Sequence, residues 1–259
     1  MIEPAPLSPP EPAPTTQTVR VALPSLAPTA TYAIIGFTAF VYLLQLASVW
    51  IWGYAVNEID WLEVYGARFN TAIRAWELWR FITPVFLHGS MAHIFFNMYA
   101  LLSIGTLLER HFGHGRFVWL YFLGAFSGNV FSFLFTGENG YSVGASTAVF
   151  GLIGAEVIFF YQNRELFGAQ AKQAISNAVV IIAINLFIGL SPGIDNWGHV
   201  GGLLGGMIFT WFAGPRWAVT GIPPEMHLVD QRESREMITG AGIVALIFGA
   251  LAAWGMFYK

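Results

Sequence analysis

The chain has 259 residues, of which 56% are hydrophobic, 16% aromatic and only 10% charged, with a formal net charge of -3. A soluble domain carries about 25% charged residues, so this composition cannot coat a water-facing surface and points to a polytopic membrane protein. The absence of cysteine excludes disulfides, thiolate metal sites and cysteine nucleophiles, and no basic cluster offers a nucleic-acid interface.

Eight of the 13 prolines fall in the first 28 residues, at positions 4, 6, 9, 10, 12, 14, 24 and 28. Such a run cannot hold a helix, and residues 1–28 are expected to form an extended or disordered, solvated tail. The tail lacks the cationic start and apolar core of a cleavable signal peptide. Seven apolar runs near the length of a membrane-spanning helix follow, at roughly 30–52, 87–108, 116–136, 146–162, 173–190, 199–213 and 238–257. The fourth and sixth are short, and both open at a polar or glycine-rich loop. Their first turns are therefore expected inside the protein, beside a wet cavity rather than lipid.

Orientation follows from lysine and arginine. With the N-terminus cytoplasmic, the inner segments hold Arg20, Arg110, Arg116, Arg164, Lys172, Arg216, Arg232 and Arg235. The outer ones hold Arg68, Arg74, Arg80 and Lys259. The expectation is N-in and C-out, with the outer loop 53–86 and its three arginines as the exception. That loop is rich in Trp and Tyr and should lie partly in the outer leaflet.

Polar groups inside apolar spans are costly, so each needs a role. In "FLHGSMAHIFFNMYALL", His93 and Asn97 are four residues apart and share a helix face, with His88 at the helix entrance. Alone, they read equally as hydrogen-bonding bridges between helices. They do not read as a zinc peptidase, since no glutamate sits between the histidines. In "DNWGHVGGLLGG", His199 opens the sixth run, and Gly198, Gly202 and Gly206 recur every four residues, flanked by Gly201 and Gly205. Such a face lets a neighbouring helix approach closely.

That neighbour is "GASTAVFGLIGA", which carries Ser146 at a positive helix end. A lone serine in such a run reads as a packing residue. With His199 as base and His93, Asn97 and its own N–H as oxyanion donors at one depth, it reads as a nucleophile. Glu156 lies about 15 Å further along the same helix and is expected to be a buried, protonated packing partner. Asp195, four residues before His199 in a loop, reads as a loop cap, with orientation of the imidazole as the alternative.

These segments resemble the rhomboid intramembrane serine proteases. The likeness covers six spans, about residues 30 to 214, with a seventh C-terminal span as in some members. "ELWRFITPVFLHGSMAHIFFNM" is similar to the family's Trp-Arg motif running into its His-x4-His-x3-Asn helix. "GASTAVFGLIGA" resembles its Gly-x-Ser-Gly nucleophile motif, and "DNWGHVGGLLGG" its Gly-His-x-x-Gly base motif. The resemblance implies a nucleophile at Ser146 and a general base at His199, in a dyad without a catalytic acid. It implies oxyanion stabilisation by Asn97 and His93, loop anchoring by Trp79 and Arg80, and an aromatic at Phe150 packed under the histidine. Gly202 belongs to the base motif, and Glu109 matches a structural glutamate. One position departs: the glycine after the nucleophile is Thr147, whose β-branch is expected to narrow the room for substrate and oxyanion.

The expected architecture is an all-α polytopic bundle: a tail over 1–28, a six-helix core over 29–214, a cytoplasmic linker over 215–237 and a seventh helix over 238–259. The expected activity is hydrolysis of peptide bonds in or beside transmembrane segments of single-span proteins, with no metal, organic cofactor or nucleic acid. Oligomeric state is unassigned, and the expected home is the bilayer of a bacterial inner membrane. Two alternatives compete. A non-catalytic binder of transmembrane clients would keep the same fold, and a solute transporter would show two repeated halves with interrupted helices, a pattern missing here.

Overall fold

The computed structural model describes residues 26–53, 60–222 and 225–258. The expected proline-rich tail lies outside the described residues apart from positions 26–28. The chain enters helix α1, Thr29–Ser48, and a wide turn continues it to Gly53. The buried face of α1 is Thr31, Ile34, Thr38, Tyr42, Gln45 and Ser48, while Phe37, Phe40, Leu43 and Leu44 point outward. Polar groups inward and apolar groups outward is the inverse of a soluble helix, and it is what a lipid solvent selects.

The segment between α1 and the next long helix is structured. It runs through α2, Trp61–Gly66, a two-residue strand β1, Arg68–Phe69, and α3, Asn70–Arg74, then two 3-10 turns at Leu78–Phe81 and Thr83–Phe86. Helix α4, Met91–Ala100, passes through a wide turn at Leu101–Gly105 into α5, Thr106–Phe135. It starts at Met91, later than the apolar run, because Ser90 Oγ caps it by accepting the His93 N–H at 3.2 Å. Within α5, Gly113 takes φ 78°, a left-handed conformation that glycine adopts without a Cβ clash, and there the helix breaks. The continuous apolar stretch Met91–Phe135 is 45 residues, more than twice the ~20 needed for one crossing, so this break divides the second expected span from the third.

Strand β2, Tyr141–Ser142, pairs antiparallel with β1, placing Arg68 opposite Ser142 and Phe69 opposite Tyr141. Helix α6, Ser146–Gln162, follows, then α7, Arg164–Phe167, α8, Ala169–Ile188, and α9, Asn196–Ala213. The 215–237 segment is more than a linker. It holds a hairpin of β3, Trp217–Thr220, and β4, His227–Asp230, tied to α5 by an Arg116–Asp230 ion pair. Helix α10, Ser234–Tyr258, packs on α5 and α9. By length and composition Thr29–Ile51, Met91–Phe135, Ala169–Ile188 and Ser234–Tyr258 can cross a membrane, whereas Ser146–Gln162 is shorter.

At the centre α5, α6 and α9 meet backbone to backbone. A Cβ on Gly151 of α6 would lie 2.9 Å from Gly124 Cα on α5, and one on Gly202 of α9 would overlap the Thr147 carbonyl oxygen. Among apolar helices in lipid, such close approach is the main source of attraction, because burying leucine against leucine gains little over leucine against lipid.

Candidate active site

Helix α6 begins without a side-chain cap, since Ala145 precedes it. Helices α2, α4 and α9, by contrast, are capped by Asp60, Ser90 and Asp195. The first-turn N–H groups of α6, including that of Ser146, therefore lack an intrahelical or side-chain acceptor and present a positive end to an incoming anion. Gly144 precedes this turn at φ 123°, and its N–H is held by the Pro84 carbonyl at 2.9 Å. Glycine is required here twice over. The φ is disfavoured for other residues, and a Cβ would lie 2.6 Å from His93 Nε2 and 3.8 Å from Asn97 Nδ2.

His93 and Asn97 are thereby placed against the entrance of α6. Asn97 is buried, and its amide donates one hydrogen bond to the His93 carbonyl at 3.0 Å, leaving its second N–H free. His88 has a different job. It is buried, its Nε2 accepts the Ala145 N–H at 3.3 Å, and its ring meets that of His93 at 5.0 Å. His88 thus holds the residue before Ser146. Among the described residues no group of three or more His, Asp or Glu side chains could hold a metal ion.

His199 lies in the first turn of α9, and its ring stacks on Phe150 with centroids 4.1 Å apart and planes 3° from parallel. Phe150 is one turn beyond Ser146 on α6, so the stack sets the imidazole over the helix face that carries the serine. The His199 Nδ1 is buried and has no partner among the described residues. Asp195 is turned away from it, accepting the Gly198 N–H at 2.9 Å as a helix cap. Ser146 Oγ and the imidazole share no hydrogen bond here. Catalytic hydrogen bonds often tighten only once substrate is seated.

The rim is tied by Trp79 and Arg80. Trp79 Nε1 donates to the Tyr65 carbonyl at 2.9 Å. The buried Arg80 donates to the Ala67 and Val64 carbonyls at 2.7 and 2.8 Å and to Glu77 at 2.7 Å. Glu109 is fully buried and gathers the Ala30 N–H at 2.8 Å, the Thr31 N–H at 2.7 Å, the Thr31 hydroxyl at 2.6 Å and His114 at 2.5 Å, so it anchors the start of α1. Glu156 is only half-buried on α6, more exposed than the sequence implied.

Thr147 corrects the expectation of crowding. It is 2% exposed, and a Cβ on Gly128 of α5 would lie 2.6 Å from Thr147 Cβ, while one on Gly198 of α9 would lie 2.9 Å from its Cγ2. The side chain fills a notch between two glycines, behind the backbone that bears Ser146, so it does not narrow the open side. Its hydroxyl is buried without a partner among the described residues. Thr147→Gly should therefore leave turnover per folded molecule unchanged while costing about 1–2 kcal/mol of stability through the void and the added backbone freedom. Thermal unfolding in detergent, measured beside a cleavage assay, checks both halves.

Three polar residues carry weight that sequence reasoning did not assign. Gln45 on α1 donates to Asp60 at 2.7 Å and accepts the His88 N–H at 3.0 Å, joining α1, α2 and the His88 turn. Arg68 and Asn70 are buried against the end of α5, where the Asn70 amide donates to the Gly137 carbonyl at 2.8 Å. The sequence signal was that the arginines of this segment stood as the exception to the expected charge orientation. Their folded positions account for it, since Arg74 too is spent internally, donating to the Gly255 carbonyl at 2.8 Å and lying over the Phe133 ring.

Comparison with known proteins identifies the family. A family model described as the rhomboid domain matches residues 75–216. Rhomboid protease GluP of Bacillus subtilis is 39% identical over 180 residues, covering 69% of this chain and 34% of that protein. RHOMBOID-like protein 4 of Arabidopsis thaliana is 37% identical over 143 residues, 55% of this chain and 36% of that protein. Rhomboid-like protease 3 of Toxoplasma gondii is 36% identical over 160 residues, 60% and 58% respectively. The chain spans only about a third of the length of the first two. The family match nonetheless takes in more than half of the residues, with every candidate site residue inside it, and the chain belongs to the rhomboid family of membrane-embedded proteases.

Proposed function

We propose that this chain is an active intramembrane serine endopeptidase working through a Ser146–His199 dyad. The observation that carries this reading is the stacking of His199 on Phe150, one turn from Ser146, beside an uncapped helix start flanked by His93 and Asn97. Ser146 Oγ attacks the scissile carbonyl and passes its proton to His199. The tetrahedral oxyanion is held by the Ser146 N–H, the free Asn97 amide proton and His93. The intermediate collapses to an acyl-enzyme as His199 protonates the leaving amine. Water, deprotonated by His199, then releases the acid.

A client helix must unwind to present its carbonyl, because an intact helix engages its carbonyls internally. The resemblance to the rhomboid family further implies that the clients are single-span proteins with small residues at the cleaved position and helix-breaking residues beyond it. The Ser146 end faces outward, with the N-terminus cytoplasmic, and the home is a bacterial plasma membrane. Arg110, Arg116, Arg164, Arg216 and Arg232, all at the opposite end, support that orientation.

The test is reaction of the detergent-purified protein with a fluorophosphonate, followed by peptide mapping, beside cleavage of single-span substrates. Adduct at Ser146 and substrate cleavage are expected. A wild-type protein that neither labels nor cleaves would favour a non-catalytic binder of transmembrane clients. Asn97→Ala should lower turnover by about 10^2-fold, the lower end of the range for one oxyanion donor, since two others remain. Steady-state kinetics should show this loss in kcat with KM little changed.

A further inference from the structure

Asp195 lies four residues before His199, and its carbonyl accepts the His199 N–H at 3.1 Å. Its carboxylate serves three elements. Oδ1 accepts the Gly198 N–H at 2.9 Å, Oδ2 accepts from Ser132 Oγ on α5, and Arg68 Nε stands 3.9 Å from Oδ2. Arg68 is 0% exposed. Its Nη1 donates to Asn70 Oδ1 and to Thr136 Oγ1, the latter at 3.2 Å, while Nε and Nη2 have no hydrogen-bond acceptor among the described residues.

A buried guanidinium with two idle donors is unstable unless a negative charge faces it. Asp195 is the carboxylate within ion-pair range. Capping alone does not call for a charge, since Ser or Asn caps a helix as well as Asp does. Burial lowers the pKa of Arg68, and Asp195 works against that loss. The pair also joins two separate parts of the site. Arg68 is in β1, whose partner strand β2 leads directly into Gly144 and Ser146, and Asp195 heads the helix that bears His199.

We propose that Arg68 and Asp195 are positioning residues whose charge pair, buried on its Arg68 side, fixes His199 against Ser146. Stacking on Phe150 sets the tilt of the imidazole but lets it slide in the plane of the ring, and the anchored first turn of α9 removes that freedom. A misplacement of about 1 Å between reacting groups can cost about 10^2 in rate. The inference rests on reading Ser146 and His199 as the dyad.

The decisive variants are Asp195→Asn, which keeps a capping oxygen and removes the charge, Arg68→Gln, and the double variant. Each single change should lower kcat about 10- to 100-fold with KM unchanged, and should slow fluorophosphonate labelling of Ser146 by a similar factor. The double variant should be no worse than the poorer single one, because the two changes remove one interaction. Asp195→Glu should recover part of the loss. If Arg68→Gln does not accumulate as folded protein, the comparison of Asp195→Asn with Asp195→Glu carries the test. Single variants that cleave and label at the wild-type rate overturn the pair, as does a double variant losing the product of the two single losses. A wild type that neither cleaves nor labels overturns the dyad reading, and the pair with it.

Discussion

Ser146→Ala and His199→Ala should each abolish cleavage of a single-span substrate, lowering turnover by about 10^4-fold or more, and Ser146→Ala should leave thermal unfolding close to wild type. Nothing in the packing makes the serine hydroxyl necessary to the fold, since Ser146 Oγ makes no hydrogen bond among the described residues and sits half-exposed. His199 differs in one respect. Its ring covers Phe150, so His199→Ala should also loosen the α6–α9 contact and lower the melting temperature modestly. His199→Phe keeps an aromatic ring on Phe150 without a base, and it should restore stability without activity. Cleavage persisting in Ser146→Ala would sink the mechanism. Dyad members act as a unit, so the double variant should be no slower than either single one.

Gly202→Val should destroy the fold rather than tune it. The added side chain would start inside the Thr147 carbonyl, and Gly202 faces α5 as well, its Cβ position 3.4 Å from the Gly124 oxygen. Neither obstacle is the far end of a flexible side chain. The backbones of α5, α6 and α9 would have to part, and with them Ser146 and His199. Overpacking in an ordinary core costs about 1–3 kcal/mol, but here the clashing partner, the Thr147 carbonyl, is main chain, so the expected result is protein that elutes aggregated in detergent and does not label at Ser146. A monodisperse, labelling Gly202→Val would show that the three helices have slack the glycines conceal. Gly242 of α10 has no atom within 4 Å of its Cβ position, and a substitution there should be tolerated as the matched control.

The helices were legible because apolar runs and glycine spacing are local signals. The glycines every four residues after His199 announced a close helix contact, and that contact is present. Ser146, His93 and His199 each lie within about a turn of a helix start, a position that turn chemistry makes legible, and Asn97 follows His93 by one turn on the same face. What stayed hidden depends on pairing across distance. Nothing local says that Arg68 meets Asp195, that β1 pairs with β2, or that His88 spends its ring on the Ala145 N–H. The direction of the Thr147 side chain was hidden for the same reason. A motif comparison sees a bulky residue next to the nucleophile, while the notch between Gly128 and Gly198 that receives it is built by two other helices.

The internal engagement of Arg68, Arg74 and Arg80 has a consequence for assembly. Before the segment between α1 and α4 docks, these three side chains are free cations on a stretch rich in aromatic residues, held at the edge of the bilayer. After docking they are satisfied by carbonyl oxygens at 2.7–2.8 Å for Arg74 and Arg80, and by Asp195, Asn70 and Thr136 for Arg68. The positive charge that this segment carries is thus withdrawn when it docks. A chain in which the segment had not docked would be marked by cations left exposed at the mouth of the candidate site.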